Sequence, residues 1–178
     1  MSADEAQELR ENAEKAREDR SLAAVSLTMA VLAVLVAVVS LLGHRAHTEE
    51  VVLQALSSDQ WSFYQAKNIR EHEDDLFVAG NFAGVAPEVR EKYAQEAERY
   101  KKEKEEIQEK ARELEREVGI ERARADRYDL AEVFLEIGLV ITSITLLSGK
   151  RIFWYLGIAL TVVGVVVAAM GAMVHMMR

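Results

Sequence analysis

The sequence predicts an all-α integral membrane protein with three transmembrane helices and a long helical hairpin outside the membrane. Residues 21–43 and 152–174 contain no charged side chain, and residues 130–148 contain only Glu132 and Glu136. An apolar stretch of about 20 residues is long enough to cross a bilayer as a helix. The rest of the chain holds all the other acidic and basic residues, at a density far above that of an ordinary globular domain. The mean hydropathy of −0.05 is therefore an average over two different kinds of segment.

The first 20 residues form a charged tail ahead of the first transmembrane helix. The tail is rich in Ala, Glu and Arg and has no Gly or Pro inside it, which favours a solvated helix. Within the first span, at residues 21–43, Ala30, Ala33 and Ala37 recur at intervals of four and three and share one helical face. Small side chains let helices approach closely in lipid, so we expect this face to pack against another helix.

Residues 44–129 are predicted to form an extramembrane hairpin of two helices with coiled-coil pairing. The segment FVAGNFAGVAPE holds the one convincing break, and Pro87 within it suits the first turn of the second helix. From Tyr93 to Val118, residues at intervals of four and three are almost all apolar, which is typical of a coiled coil. The side chains that we expect to form the hairpin core, rather than a ligand pocket, are Trp61, Phe63, Tyr64, Tyr93, Tyr100, Ile107 and Leu114.

The second and third transmembrane helices, at residues 130–148 and 152–174, carry small residues on one face each. In the second, Gly138 and Thr142 share a face, and in the third a line of small residues includes three glycines. We expect these faces to pack against other helices. The residues concerned are Gly138, Thr142, Gly157, Gly164 and Gly171.

The second span also has a polar face, nearly opposite its small face. That face holds Glu132, Glu136 and Ser143. Two opposed faces predict two sets of neighbours, one being the chain's own helices and the other a further subunit or an aqueous path. A charge in the middle of the bilayer costs about 2.5–3.5 kcal/mol on insertion scales, and rings of carboxylates attract cations. These residues are therefore candidates for an ion path, and the alternative is that Glu132 lies among the headgroups while Glu136 is paired or protonated.

Two histidines and a carboxylate lie where the first span ends. His44, His47 and Glu50 follow one another at intervals of three, and imidazole and carboxylate groups suit Zn²⁺ and similar ions. Three groups on one helix rarely complete a metal site, so the alternative is a pair of interfacial histidines with solvated polar ends. No cofactor is expected.

Several classes of function are disfavoured by composition. There is no cysteine, which excludes disulfides, thiolate metal sites and cysteine nucleophiles. The net charge of −8 argues against nucleic-acid binding, which needs a basic face. The chain lacks a phosphate-binding loop, the G-x-S-x-G motif and the H-E-x-x-H motif. We therefore expect that the protein is not an enzyme.

The segment SSDQWSFYQAKNIREH resembles a bacterial membrane family of unknown function with a DQW-x-x-YQAK-x-I-like run. Here the run comprises Asp59, Gln60, Trp61, Tyr64, Gln65, Ala66, Lys67 and Ile69. The chain is similar to the same family in its charged tail, in a first span that ends near Gly-His, and in a basic turn followed by WYLG. The resemblance implies a bacterial membrane protein, and it implies no activity and no catalytic residue.

These observations predict a self-assembling homo-oligomer in the lipid bilayer that conducts cations. The alternative is a non-conducting scaffold, or a protein that uses its hairpin to dock an unknown protein partner. The resemblance to a bacterial family places the chain in the inner (cytoplasmic) membrane as a multi-pass protein. Because the short turn at Lys150 and Arg151 is basic, the positive-inside rule puts the N-terminus inside and the hairpin outside.

Overall fold

The chain folds as three long α-helices. The computed structural model describes the backbone of residues 3–80 and 84–176 and the side chains of residues 22–80 and 84–174. The helices are α1 (Ala3–Ala79), α2 (Pro87–Ser148) and α3 (Arg151–Met176), and no strand occurs in these ranges. The prediction of an all-α fold is confirmed. Each helix contains a stretch that is long and apolar enough to cross a membrane.

The breaks between the helices lie at glycines and at the single proline. After Ala79, the Gly80 N–H donates to the Leu76 carbonyl at 2.8 Å, and Gly84 has a φ of 90°, a left-handed conformation that favours glycine. Pro87 opens α2, where its fixed φ fits a helix and its missing N–H is not needed. Gly149, with a φ of 67°, closes α2 and leads into α3 two residues later.

The chain divides into two compact units, which are described separately. The membrane unit comprises Met1–Ala46 and Ala123–Arg178, and it contains the three long apolar stretches. The hairpin unit comprises His47–Arg122, and it contains most of the densely charged sequence.

The core of the membrane unit is a cluster of buried side chains from α1 and α2. Leu32, Val39 and Ala46 of α1 are spaced by seven residues, so they form one line along the helix. They pack with a matching line on α2 that contains Ala125, Tyr128, Ala131 and Leu135. From α3, Val167 and Ala168 pack against the same cluster while staying partly exposed.

Helices α2 and α3 approach each other through glycines. A Cβ atom added at Gly138 would lie 3.0 Å from the carbonyl oxygen of Gly157, and one at Gly164 would lie 3.0 Å from the carbonyl oxygen of Ala131. The Thr142 hydroxyl, fully buried, donates to the Gly138 carbonyl at 2.7 Å. At these positions hydrogen in place of a side chain is what permits the backbone contact.

The line of small residues on α1 has a different environment. Ala30, Ala33 and Ala37 are exposed within the chain, because the face of α1 that packs on α2 carries the larger Leu32 and Val39 instead. Among the residues whose side chains the structure describes, the packing of this unit leaves these alanines exposed, and their predicted packing role stays a prediction about a neighbour outside the chain.

The hairpin unit has a thin interior in which polar groups lie beside small apolar ones. Its buried residues include Ser57, Ala97, Ala111 and Leu114. Lys104 occupies a position in the line of interior residues on α2, where it pairs with Glu71 and donates to Asn68 at 3.0 Å. The described contacts pair α1 with α2, and whether the two helices supercoil stays a prediction.

Six of the seven residues predicted for the hairpin core are at least partly buried, and the seventh is not. Trp61, Tyr64, Tyr93, Tyr100 and Ile107 are half-buried and Leu114 is buried. Phe63 is 58% exposed, so its assignment to the core was wrong. It lies between Trp61 and Tyr64, which both face inward, and at about 100° per residue it points away from them.

Candidate ion path in the membrane unit

The carboxylate of Glu136 is exposed on the surface of the membrane unit. Along the axis of α2, Glu136 lies about 14 Å from Arg127 and about 18 Å from Ser148, taking 1.5 Å per residue. These distances place it near the middle of the apolar stretch of α2. Nothing in the described part of the chain forms a hydrogen bond or ion pair with it.

Glu132 and Ser143 lie on either side of Glu136 along α2 and are half-buried. The Ser143 hydroxyl donates to the carbonyl of Val140 at 2.7 Å, which satisfies that hydroxyl within its own helix. The carboxylate of Glu132, like that of Glu136, has no hydrogen bond or ion pair with the side chains and backbone that the structure describes. The face of α2 that holds these residues therefore differs from its buried glycine and threonine face, as the sequence predicts.

The position of Glu136 relative to α1 follows from its neighbour two turns earlier. A Cβ added at Gly43 of α1 would lie 3.3 Å from the Asp129 carboxylate, so Asp129 borders α1. Glu136 and Ser143 follow Asp129 at intervals of seven residues, which is close to two full turns. Asp129, Glu136 and Ser143 therefore form a polar line about 21 Å long on α2, about 100° around the helix from the buried Tyr128 and Leu135 that pack on α1.

Asp129 is a member of this line that the sequence interpretation missed. It lies one residue before the predicted start of the span, and it was grouped with the hairpin for that reason. The available signal was its spacing of seven residues from Glu136. With Asp129 included, the polar line contains two carboxylates, and carboxylates attract cations.

The three residues proposed as metal ligands do not assemble into a metal centre. Nδ1 of His47 lies 3.5 Å from Oε2 of Glu50, and Oε1 of Glu50 lies 3.2 Å from Nε of Arg122. His44 is exposed, and among the described residues no group of three or more His, Asp or Glu side chains is placed to hold a metal ion. The Glu50 carboxylate thus contacts the imidazole of His47 and the guanidinium of Arg122, both within the hairpin unit.

The recognisable run in α1 supplies contacts inside the hairpin unit. Nε1 of Trp61 donates to Oε1 of Glu115 at 2.8 Å, and the ring of Trp61 meets that of Tyr64 edge-on. Lys67 pairs with Glu103 and lies 4.8 Å from the centre of the Tyr100 ring. These residues hold α1 against α2 within the hairpin unit.

The family comparison decides the relationship of the chain to other proteins. A family described as a domain of unknown function, DUF4337, matches residues 21–174. The chain belongs to this family. The match covers the three apolar stretches and the whole hairpin of the DUF4337 chain, which supports the resemblance to an uncharacterised family. Comparison with curated proteins and with solved structures found no match.

Proposed function

We propose that this DUF4337 chain assembles with copies of itself in a membrane and that the assembly encloses a cation path lined by Glu132, Glu136 and Ser143. No enzymatic activity is part of the proposal. Copies related by rotation about an axis would bring the carboxylates into rings, and such rings concentrate cations and select them over anions.

The exposure of Glu136 is the observation that carries the proposal. A carboxylate near the centre of the bilayer costs free energy on insertion, and no described residue of the chain pairs with Glu136. An aqueous path, or polar groups of a second copy, would remove that cost by solvating the carboxylate. The exposed line of Ala30, Ala33 and Ala37 on α1 adds support, because small side chains suit close contact with a further helix in lipid.

The second candidate is a non-conducting assembly that acts as a scaffold or docks a protein partner. One observation favours it. On the carboxylate side of α2 beyond Glu136, Val140 is 61% exposed and Leu147 is 89% exposed, and Ser143 continues the polar line while Thr142 and Thr145 are buried on another face. A path through that half would be apolar, and an apolar constriction of this kind resists ion flow.

A flux measurement on purified protein in liposomes tests the proposed path. We expect cation uptake with the unmodified chain, and we expect Glu136→Gln to abolish it because the substitution removes the charge while keeping the shape. Val140→Thr is the matched control, since it alters an exposed position four residues further along and leaves the carboxylates in place. Uptake that is the same for the unmodified chain and for Glu136→Gln would exclude the carboxylate path.

Light scattering on the detergent-solubilised protein tests self-assembly separately. The mass per complex, after subtraction of detergent, should be a multiple of the 20.0 kDa chain. A mass of one chain would exclude both the conducting ring and the self-assembled scaffold.

We further propose a location in the inner membrane of a bacterium, with the N-terminus and the Lys150–Arg151 turn in the cytoplasm. The basic turn supports this orientation through the positive-inside rule. A cysteine introduced at an exposed hairpin position should react with an impermeant reagent in intact cells. Labelling only after cell lysis would reverse the orientation.

A further inference from the structure

The hairpin unit has an apolar face that points away from its own interior. On α1, Val52, Leu56 and Phe63 are 52%, 47% and 58% exposed. Together with the exposed Asp59 and Ala66 they recur at intervals of four and three residues. We call these five residues the outer seam.

The outer seam is distinct from the face of α1 that pairs with α2. Leu56 precedes the buried Ser57 by one residue, and Phe63 precedes the half-buried Tyr64 by one residue. One residue corresponds to a rotation of about 100°, so the outer seam and the paired face occupy different sides of the helix. An interval pattern of four and three on a second side of one helix is typical of a helix with two coiled-coil partners.

The two helices of the hairpin unit differ in how many charged side chains their exposed faces carry. Residues 51–66 of α1 contain one charged side chain, Asp59. On α2, every exposed residue between Glu98 and Arg116 is charged. The outer seam is therefore matched in polarity by another copy of itself and is poorly matched by the exposed face of α2.

We infer that the outer seam is the contact between copies of this chain, in which α1 helices run parallel and level with one another. This inference rests on the self-assembly of the proposed function. Copies in one membrane share a single orientation, so equal residues stand at equal heights and a parallel seam meets the same seam. Asp59 is the one charged member, and a single polar residue in such a seam sets register and the number of helices at a cost in stability.

The apolar area of the outer seam is too small to hold two copies together in solution, so we expect the contact to form only between copies anchored in a membrane. Its three large side chains expose roughly 300 Å² of apolar surface per copy, about the size of the largest patch on a soluble monomer. A stable dimer in solution buries about 800 Å² per partner. Anchoring in one membrane supplies a high effective concentration, so that a seam of this size suffices between neighbouring chains.

Disulfide cross-linking of the full-length protein in membranes tests the contact directly, because the chain has no cysteine of its own. Leu56→Cys and Phe63→Cys should each form covalent dimers on mild oxidation. The matched controls are Gln54→Cys and Gln65→Cys, which are also exposed but lie on the other side of the seam's helix. A disulfide needs Cα atoms within about 7 Å, so the seam variants should give roughly tenfold more dimer than the controls.

Two double substitutions to lysine, one in the outer seam and one outside it, provide a second test that does not depend on oxidation. The double substitution Leu56→Lys with Phe63→Lys should lower the mass of the solubilised complex, because it puts repelling charges in the seam. Gln54→Lys with Gln65→Lys adds the same charge elsewhere and should leave the mass unchanged. Both pairs alter exposed positions, and circular dichroism should report equal helix content.

The outcomes separate this inference from the proposed function. If the unmodified chain is a multimer and the seam variants cross-link no better than the controls, the seam contact is excluded while self-assembly stands. If the unmodified chain is a monomer, both fail. Cross-linking of Leu56→Cys to a different protein, in place of a second copy, would also overturn the inference.

Discussion

A Cβ atom added at Gly157 of α3 would lie 2.8 Å from the carbonyl oxygen of Gly138 in α2. The same atom would lie 3.2 Å from Cβ of Thr142, so the obstruction is backbone and the stem of a buried side chain. Neither can turn aside as the end of a flexible side chain would. The two helices are thus held at a separation that depends on glycine.

Gly157→Ala should therefore destabilise the membrane unit. Forcing one methyl group into a close-packed contact costs about 1–3 kcal/mol, because the helices must separate and lose neighbouring contacts. The measurement is the thermal unfolding temperature of the protein in detergent. An unchanged unfolding temperature would contradict the close approach of α2 and α3.

Gly119→Ala should have the opposite effect. Gly119 is an exposed residue inside α2, and a Cβ added there would meet nothing within 4 Å. Alanine in a helix interior is favoured over glycine by about 0.5–1 kcal/mol. The unfolding temperature should rise modestly, and a decrease would indicate that Gly119 is not in regular helix.

Lys104 and Glu71 should show strong coupling in a double-mutant cycle. Their side chains are 20% and 13% exposed, so removing one leaves a poorly solvated charge on the other. Lys104→Met alone should cost about 1–3 kcal/mol of stability, while Lys104→Met with Glu71→Leu should recover most of that loss. Additive effects of the two substitutions in denaturant unfolding would show that the pair contributes nothing specific.

The Lys104–Glu71 pair also predicts how the stability of the folded protein depends on pH. The hydrogen bond that Lys104 donates to the Glu71 carboxylate raises the pKa of Lys104 above its usual value of 10.5. Its stabilising contribution is complete below the pKa of the unfolded chain and is lost as the pH rises through the higher folded value. Stability of the unmodified protein should therefore fall more steeply above pH 10.5 than that of Lys104→Met.

The charged form of Asp74 should lower the stability of the folded hairpin unit, whereas the ion pair of Lys104 with Glu71 raises it. Burial raises the pKa of Asp74, and the nearby carboxylates of Glu96, Glu73 and Asp75 raise it further. The charged form is thus disfavoured in the folded hairpin, and its neutral form contributes stability that is lost as the pH rises through the folded pKa. Asp74→Asn should raise the unfolding temperature at pH 7.

The control for Asp74→Asn is Glu109→Gln, which removes one negative charge from an exposed position of α2. It should leave the unfolding temperature nearly unchanged. For Asp74→Asn the gain should shrink as the pH falls through the raised folded pKa and vanish below 3.8, where the carboxyl group is neutral in both states. A gain that is independent of pH would assign the effect to something other than the charge.

The helix breaks and the apolar stretches could be predicted from the sequence because they depend on local chemistry. Pro87 opens a helix and Gly149 closes one for reasons of backbone geometry that need no partner. The length of an uncharged stretch is likewise a local property. The predictions for Pro87 and for the apolar stretches therefore agree with the structure, and Gly149 was not singled out as a helix end in the sequence although its role is equally local.

The neighbours of each helix face could not be predicted in the same way. The lines of small residues in α1 and α3 have the same intervals, yet Gly157 contacts α2 whereas Ala33 is exposed. An interval of three and four identifies a face and contains no information on what covers it. The wrong assignment of Phe63 to the hairpin core has the same cause. Aromatic residues that are close together in the sequence lie on two sides of a helix, and only one of those sides is buried.

Each of the two units is stabilised internally by interactions that respond differently to dissolved salt. Contacts within the hairpin unit include ion pairs such as Lys104–Glu71 and Lys67–Glu103, and at molar ionic strength the Debye length shrinks to about 3 Å. The contact of Gly157 with Gly138 involves no net charge. Calorimetry at increasing sodium chloride should therefore resolve one unfolding transition into two, with the hairpin melting first.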